Sequence, residues 1–141
     1  MFNPKKNKFK KCHKARVVRR VNKNLSYSII KGGVVGLKTT AFGFITPKQL
    51  ESVHQTVNKI IKKFGKLKIY PFPNGALSKK SKTATRMGKG KSKIDSWVYK
   101  ASAGILICDI STEHTKRAVQ ALAIAKVKLP IPTKIIFNKF K

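Results

Sequence analysis

The sequence predicts an α+β two-layer sandwich, a mainly antiparallel sheet carrying two helices on one face. Three observations lead there. Two stretches combine a helix start signal with an apolar stripe at 3- and 4-residue spacing. Short β-rich runs bounded by Gly and Pro lie before, between and after them, so the order is strands, helix, strands, helix, strand. Finally, 141 residues with 41% apolar side chains suit a single modest core, and no internal repeat is visible.

Taken in order, residues 1–24 hold ten Lys/Arg and no acid, and their apolar residues (Phe2, Phe9, Val17, Val18, Val21) are scattered without period. This reads as a basic binding arm whose candidate contacts are Lys5, Lys6, Lys8, Lys10, Lys11, His13, Lys14, Arg16, Arg19 and Arg20. An import peptide would be equally acid-free but richer in serine and more amphipathic. Residues 25–141 form the domain proper. Leu25–Ile30 alternates enough for a short strand, Gly32-Gly33 marks a turn, and 34–44 is ambiguous.

Thr46-Pro47-Lys48-Gln49 has an N-cap, a proline at the first helical position and a glutamine that closes a capping box. Leu50, Val53, Val57, Ile60, Ile61 and Phe64 supply the stripe of this helix, which Gly65 ends. Lys59, Lys62 and Lys63 in its last turns suit the helix dipole, and His54 beside the stripe reads as a packed or surface residue. Leu67, Ile69 and Phe72, interleaved with Lys68 and Tyr70, make a strand stopped by Pro71 and Pro73, and Asn74-Gly75 signals a turn. Trp97–Tyr99 and Gly104–Ile110 read as an antiparallel hairpin joined by residues 100–103. Ser111 is the expected N-cap of the second helix, with Glu113 in its first turn and Ala118, Val119, Leu122, Ala123, Ile124 and Ala125 on its apolar face. After Pro130 and Pro132, Ile135–Phe137 supplies the last strand.

Charge narrows the function. With 33 Lys/Arg against four acids the formal charge is +29, so a compact monomer repels itself and a polyanionic partner is called for. The stretch 78–93 concentrates this: seven Lys/Arg, two glycines and no acid. Its candidate contact residues are Lys79, Lys80, Lys82, Arg86, Met87, Gly88, Lys89, Gly90 and Lys91. Taken alone such a run is as well read as a solvated charge face; the whole-chain charge favours phosphate binding. A membrane partner fits poorly, because no apolar run nears the roughly 18 residues of a span and the lysines are not confined to one amphipathic helix.

Enzyme readings fail on spacing. Gly90-Lys91-Ser92 would need a glycine where this chain has Thr85 to complete a phosphate-binding loop. Asp109 and Glu113 straddle the expected helix start, where capping explains them better than acid–base work. Cys12, His13, His54, Cys108 and His114 lack metal-ligand spacing, and neither a disulfide framework nor a cofactor is indicated. With no zinc finger, basic zipper or base-stacking sheet motif, what remains is a small fold with basic extensions that binds nucleic acid by phosphate contacts and shape. A free nucleic-acid-condensing cationic protein is the alternative that charge alone permits.

Several motifs carry a resemblance. Pro4-Lys5-Lys6, Lys8-Phe9-Lys10-Lys11 and His13-Lys14 open the chain. Gly36-Leu37-Lys38 and Ile45-Thr46 precede the first helix, and Gly65-Lys66-Leu67 with Phe72-Pro73 follows it. Then come Arg86-Met87-Gly88-Lys89-Gly90-Lys91, Trp97-Val98, Lys128-Leu129-Pro130 and Thr133-Lys134. Together these resemble the L-sixteen family of large-subunit ribosomal proteins, whose eukaryotic relative is called L-ten. The resemblance implies the same α/β sandwich and a structural, non-enzymatic place in the large subunit, bound to its rRNA beside neighbouring ribosomal proteins. It implies that the arm from Lys5 to Lys14 threads into rRNA. It also implies that the loop residues Arg86 to Lys91 lie near the peptidyl-transferase region and the tRNA in the aminoacyl site. The chain departs from the family at Lys68, where a tryptophan is usual, at Tyr70, where an arginine is usual, and at Ser92, the usual third glycine of the loop. The family-like start at Met1 and the lysine-, isoleucine- and asparagine-rich composition lead to the expectation of an organelle-encoded protein of the mitochondrial ribosome. The plastid and the bacterial cytoplasm are the alternatives.

Overall fold

Nine elements follow one another in the computed structural model, which describes residues 2–4, 11, 29–30, 32–79, 88 and 90–138. They are β1 (Val35–Thr39), β2 (Gly43–Ile45), α1 (Pro47–Ile61), β3 (Gly65–Ile69), β4 (Gly75–Ser78), β5 (Ile94–Ala101), β6 (Leu106–Thr112), α2 (Thr115–Lys126) and β7 (Thr133–Phe137). Four strands form one antiparallel sheet in the order β3-β6-β1-β7, and β2-β5-β4 form a second, also antiparallel. The helices pack on each other and on one face of the first sheet, so the expected α+β fold is present.

Register decides which side chains meet the helices. Val35 and Leu67 pair with Ile110, and Leu37 and Ile69 pair with Cys108. Directly paired residues share a face, so these six line one apolar surface. Leu50, Val53, Val57 and Ile61 of α1 and Ala118, Ala121, Leu122 and Ala125 of α2 close over it, all at most 2% exposed. The alanines let α2 approach the sheet closely, as their size predicts.

The start of α1 follows its sequence. Gln49 donates its backbone N–H to Thr46 Oγ1 at 3.4 Å, and Thr46 returns its own N–H to Gln49 Oε1 at 2.9 Å. Thr46→Ala removes one half of this box and is expected to lower stability by about 1 kcal/mol, read as a lower denaturation midpoint in urea with an unchanged slope.

Four local expectations are corrected. First, α1 ends at Ile61, before Gly65, and Phe64 leaves the stripe at 40% exposure. Gly65 instead opens β3, because a Cβ there would lie 2.6 Å from the Ser111 carbonyl oxygen of the paired strand. Second, Asn74-Gly75 is no free turn; Gly75 begins β4, which pairs with β5. Third, β5 and β6 are not a hairpin, since they belong to different sheets. Residues 102–105 spend their hydrogen bonds on Thr39 of β1: Gly104 N–H donates to Thr39 O, Ile105 N–H to Thr39 Oγ1, and Thr39 Oγ1–H to Ser102 O at 2.7 Å. The positive φ of Gly104, 89°, turns the corner between sheets. Fourth, α2 begins at Thr115 with His114 as its cap residue, and Ser111 stays in β6. Glu113 accordingly lies before the helix, while Ala123 and Ile124 are exposed rather than on its buried face. Of the expected strand at 25–30, residues 25–28 lie outside the described residues; Ile29 and Ile30 belong to no strand, though Ile30 is buried.

Cys108 sits at the centre of the apolar surface, fully buried. Burial first, and the neighbouring Asp109 carboxylate second, push its thiol from 9.0 up to about 12. Iodoacetamide at neutral pH should therefore leave the Cys108 peptide unmodified until the protein is unfolded, as read by mass spectrometry. The raised folded-state pKa makes the thiol's contribution complete below pH 9 and progressively lost as pH rises toward 12. The stability advantage of wild type over Cys108→Ala should shrink across that window by up to about 1.4 kcal/mol per pH unit.

Candidate nucleic-acid interface

The same alternation that sends Leu67 and Ile69 toward the helices sends Lys66 and Lys68 to the opposite face of the sheet, where both are exposed. Lys38 of β1 and Lys134 of β7 are paired directly on that face as well. Like charges placed opposite each other on a ladder repel. A polyanion laid across the face relieves that repulsion.

At the centre of this face lies Asp109, 2% exposed and paired in register with Gly36 and Lys68. Its Oδ2 accepts from Gly33 N–H at 3.2 Å, from Gly32 N–H at 3.4 Å and from Tyr70 Oη–H at 2.7 Å. The expectation that Asp109 marks a helix start is thereby corrected: it is a buried acceptor inside β6. Gly33 is pressed so closely onto β6 that a Cβ would lie 2.7 Å from Ile110 O, and its own carbonyl accepts from Asn138 Nδ2. Residues 32–33 follow the basic arm in the chain, and Asp109 ties them to the lysine-bearing face. Near the other end of the arm, Phe2 packs on the core and meets His54 edge-to-face at 6.4 Å. His54, half-buried and in contact with Asn58 Nδ2 at 3.0 Å, is the packed residue expected.

The basic loop springs from the second sheet. Ala76 pairs with Trp97 and Ser78 with Ile94, so β4, which ends at Ser78, and β5, which begins at Ile94, are neighbouring antiparallel strands on either side of the loop in the sequence. Lys79, Gly88 and Gly90 are exposed and Lys91 half-buried. The positive φ values of Gly88 (112°) and Gly90 (75°) are ones that a side chain rarely tolerates. Lys80, Lys82, Arg86, Met87 and Lys89 lie outside the described residues, as do Lys5, Lys6, Lys8, Lys10, His13, Lys14, Arg16, Arg19 and Arg20; Lys11 is exposed. Sequence reading named the arm and the loop but missed Lys38, Lys66, Lys68 and Lys134 as a group. The alternation Gly65-Lys66-Leu67-Lys68-Ile69 was the available signal. Among the described residues no group of three or more His, Cys, Asp or Glu side chains could hold a metal ion, and no helix is long and apolar enough to cross a membrane.

The family model described as ribosomal protein L16p/L10e matches residues 4–136. The chain belongs to the L16p/L10e family of large-subunit ribosomal proteins. Its place there is that of a structural constituent rather than an enzyme. Among relatives, the large ribosomal subunit protein uL16c of Euglena longa is 35% identical over 138 residues, covering 98% of this chain and 99% of that protein. The large ribosomal subunit protein uL16 of Xanthomonas oryzae pv. oryzae is 34% identical, covering 96% of each chain. That of Acinetobacter baumannii is 33% identical over the same shares. Within this L16p/L10e chain Tyr70 has a local role: its hydroxyl supplies the Asp109 carboxylate with a hydrogen bond. Lys68 sits on the exposed face with its ammonium 5.5 Å from the Tyr70 ring centroid.

Proposed function

We propose that this protein binds large-subunit rRNA through the lysine-bearing face of the first sheet together with the arm anchored on it. In this reading Lys38, Lys66, Lys68 and Lys134 neutralise phosphates, and the arm residues Lys5 to Arg20 follow the rRNA. The loop 78–93, with Arg86, Met87, Gly88, Lys89, Gly90 and Lys91, shapes the aminoacyl-tRNA site near the peptidyl-transferase centre. Peptide-bond chemistry stays with RNA. The observation that carries the reading is the gathering of four lysines on one sheet face, in a chain whose first 24 residues carry ten Lys/Arg and no acid. The compartment proposed is the mitochondrial ribosome, supported by a composition rich in lysine and isoleucine; plastid and bacterial ribosomes are the alternatives.

Density-gradient sedimentation of a lysate in moderately high salt tests this, with the protein followed by mass spectrometry in each subcellular fraction. Comigration with large subunits in the mitochondrial fraction is the expected result. Release to light fractions, with any nucleic acid bound only at low salt, would favour the free cationic protein instead. In subunits carrying Arg86→Ala and Lys89→Ala, tRNA binding to the aminoacyl site should fall several-fold while rRNA association persists. An equal loss on removing two helix-face lysines would sink the special role of the loop.

A further inference from the structure

We propose that Phe64, His114 and Arg117 form a stacking site for one unpaired RNA nucleotide at the β3 edge of the first sheet. The inference rests on the RNA-binding reading above and adds a contact that phosphate neutralisation does not require. Phe64 is 40% exposed, although the 3- and 4-residue spacing of the α1 stripe would bury it. Its backbone is held at both ends: its N–H donates to Ile61 O at 2.7 Å, and its carbonyl accepts from Thr112 Oγ1–H at 2.6 Å. The same Thr112 oxygen accepts from His114 N–H at 3.1 Å. One hydroxyl thus sets Phe64 and His114 at a fixed separation, and their rings meet edge-to-face at 5.2 Å. Arg117, one turn further along α2, lays its guanidinium over the Phe64 ring at 4.2 Å from the centroid. The result is a pre-ordered cluster of two perpendicular rings and a planar cation at the surface.

Beside it lies an open, shallow recess whose walls include Phe64, Lys66, Ser111, Glu113 and Thr115. Charge selects the occupant. Arg117 lies over the ring, Lys66 lines the recess, and Lys62 and Lys63 precede Phe64 in the chain, against Glu113 as the acid of the lining; this suits a base with its phosphates rather than a protein side chain. Unpaired bases are held by stacking on aromatic rings and arginine planes, and the Glu113 carboxylate can accept from an exocyclic amine of the stacked base.

The test is anisotropy titration of the full-length protein with a labelled, unstructured RNA of about ten nucleotides and with a blunt RNA duplex of equal phosphate number. Phe64→Leu keeps the apolar bulk and removes the π face. It should weaken single-strand binding by about tenfold, leave duplex binding and the salt slope unchanged, and melt with the wild type. Phe64→Trp should retain single-strand affinity. Equal single-strand affinity for Phe64→Leu and wild type would overturn the site, as would an equal loss on both RNAs. If the wild-type protein binds neither RNA, the RNA-binding reading itself falls. In intact large subunits, ultraviolet crosslinking should join the Phe64 or His114 peptide to a nucleotide; a crosslink to a neighbouring protein at these peptides would contradict the proposal.

Discussion

Asp109→Ala is expected to lower stability by about 3–5 kcal/mol, the largest loss for any polar side chain of the sheet. The substitution strands the buried N–H of Gly33 and takes the charged acceptor away from two part-buried donors, the Gly32 N–H and the Tyr70 hydroxyl, at a position where Asp109 is 2% exposed. Each unsatisfied buried donor costs about 1–3 kcal/mol, and hydrogen bonds to a charged acceptor lie at the upper end. Domains of this kind have only about 5–15 kcal/mol in total, and a cation-rich chain has less to spare at low salt. Asp109→Asn keeps the shape and one acceptor oxygen and should fall between. Tyr70→Phe removes one donor and should cost about 1–2 kcal/mol. Urea denaturation followed by Trp97 fluorescence gives all three; an Asp109→Ala midpoint equal to that of wild type would contradict the hub. The substitution also reaches the candidate interface, because Asp109 holds Gly32 and Gly33, which follow the arm in the chain. Raised protease sensitivity of the arm, ahead of global unfolding, is the local signature expected.

The second large effect is on affinity. Binding to the large-subunit rRNA should weaken steeply with salt, with log K falling by about 0.9 per log unit of salt for each phosphate neutralised on a duplex. Six to ten such contacts, a modest share of the chain's cations, correspond to a loss of roughly 10³–10⁵ in affinity between 50 and 200 mM salt. Filter binding across a salt series, with Lys66→Ala and Lys68→Ala combined, should show a slope shallower by about 2. Removing Lys126 and Lys128, at the far end of α2, should change it less. A flat salt curve for the wild type would defeat the electrostatic reading. Equal slope changes for the two lysine pairs would deny the sheet face its particular role.

Much of the candidate interface was legible before the fold was known, because charge is additive and needs no partner to be counted. The arm and the loop stood out as runs without acid. The four sheet-face lysines did not stand out as a group, since they come from three strands: Lys38 and Lys134 are 96 positions apart in the chain and neighbours only through the β1–β7 register. The Phe64 platform was hidden for a related reason. Its spacing matched the α1 stripe, and only the need of Gly65 to approach Ser111 O closes the helix early and turns the ring outward.

What the chain alone determined is local and periodic. Thr46, Pro47 and Gln49 place the start of α1 because their hydrogen bonds span three residues; Leu50, Val53, Val57 and Ile61 choose its buried side because the helix repeats every 3.6 residues. Net charge and the basic runs set the class of partner, and the motif series set the family. The tertiary structure decided what depends on distant partners. Thr39 takes the hydrogen bonds of residues 102–105 and so splits an apparent hairpin between two sheets. Asp109 becomes an interior acceptor because the chain returns to it 77 residues away at Gly32. Ser111 stays in a strand because β3 and β1 both pair with β6. In each case a group buried by long-range pairing must satisfy its hydrogen bonds with whatever the fold brings near, and no short window of sequence contains that partner.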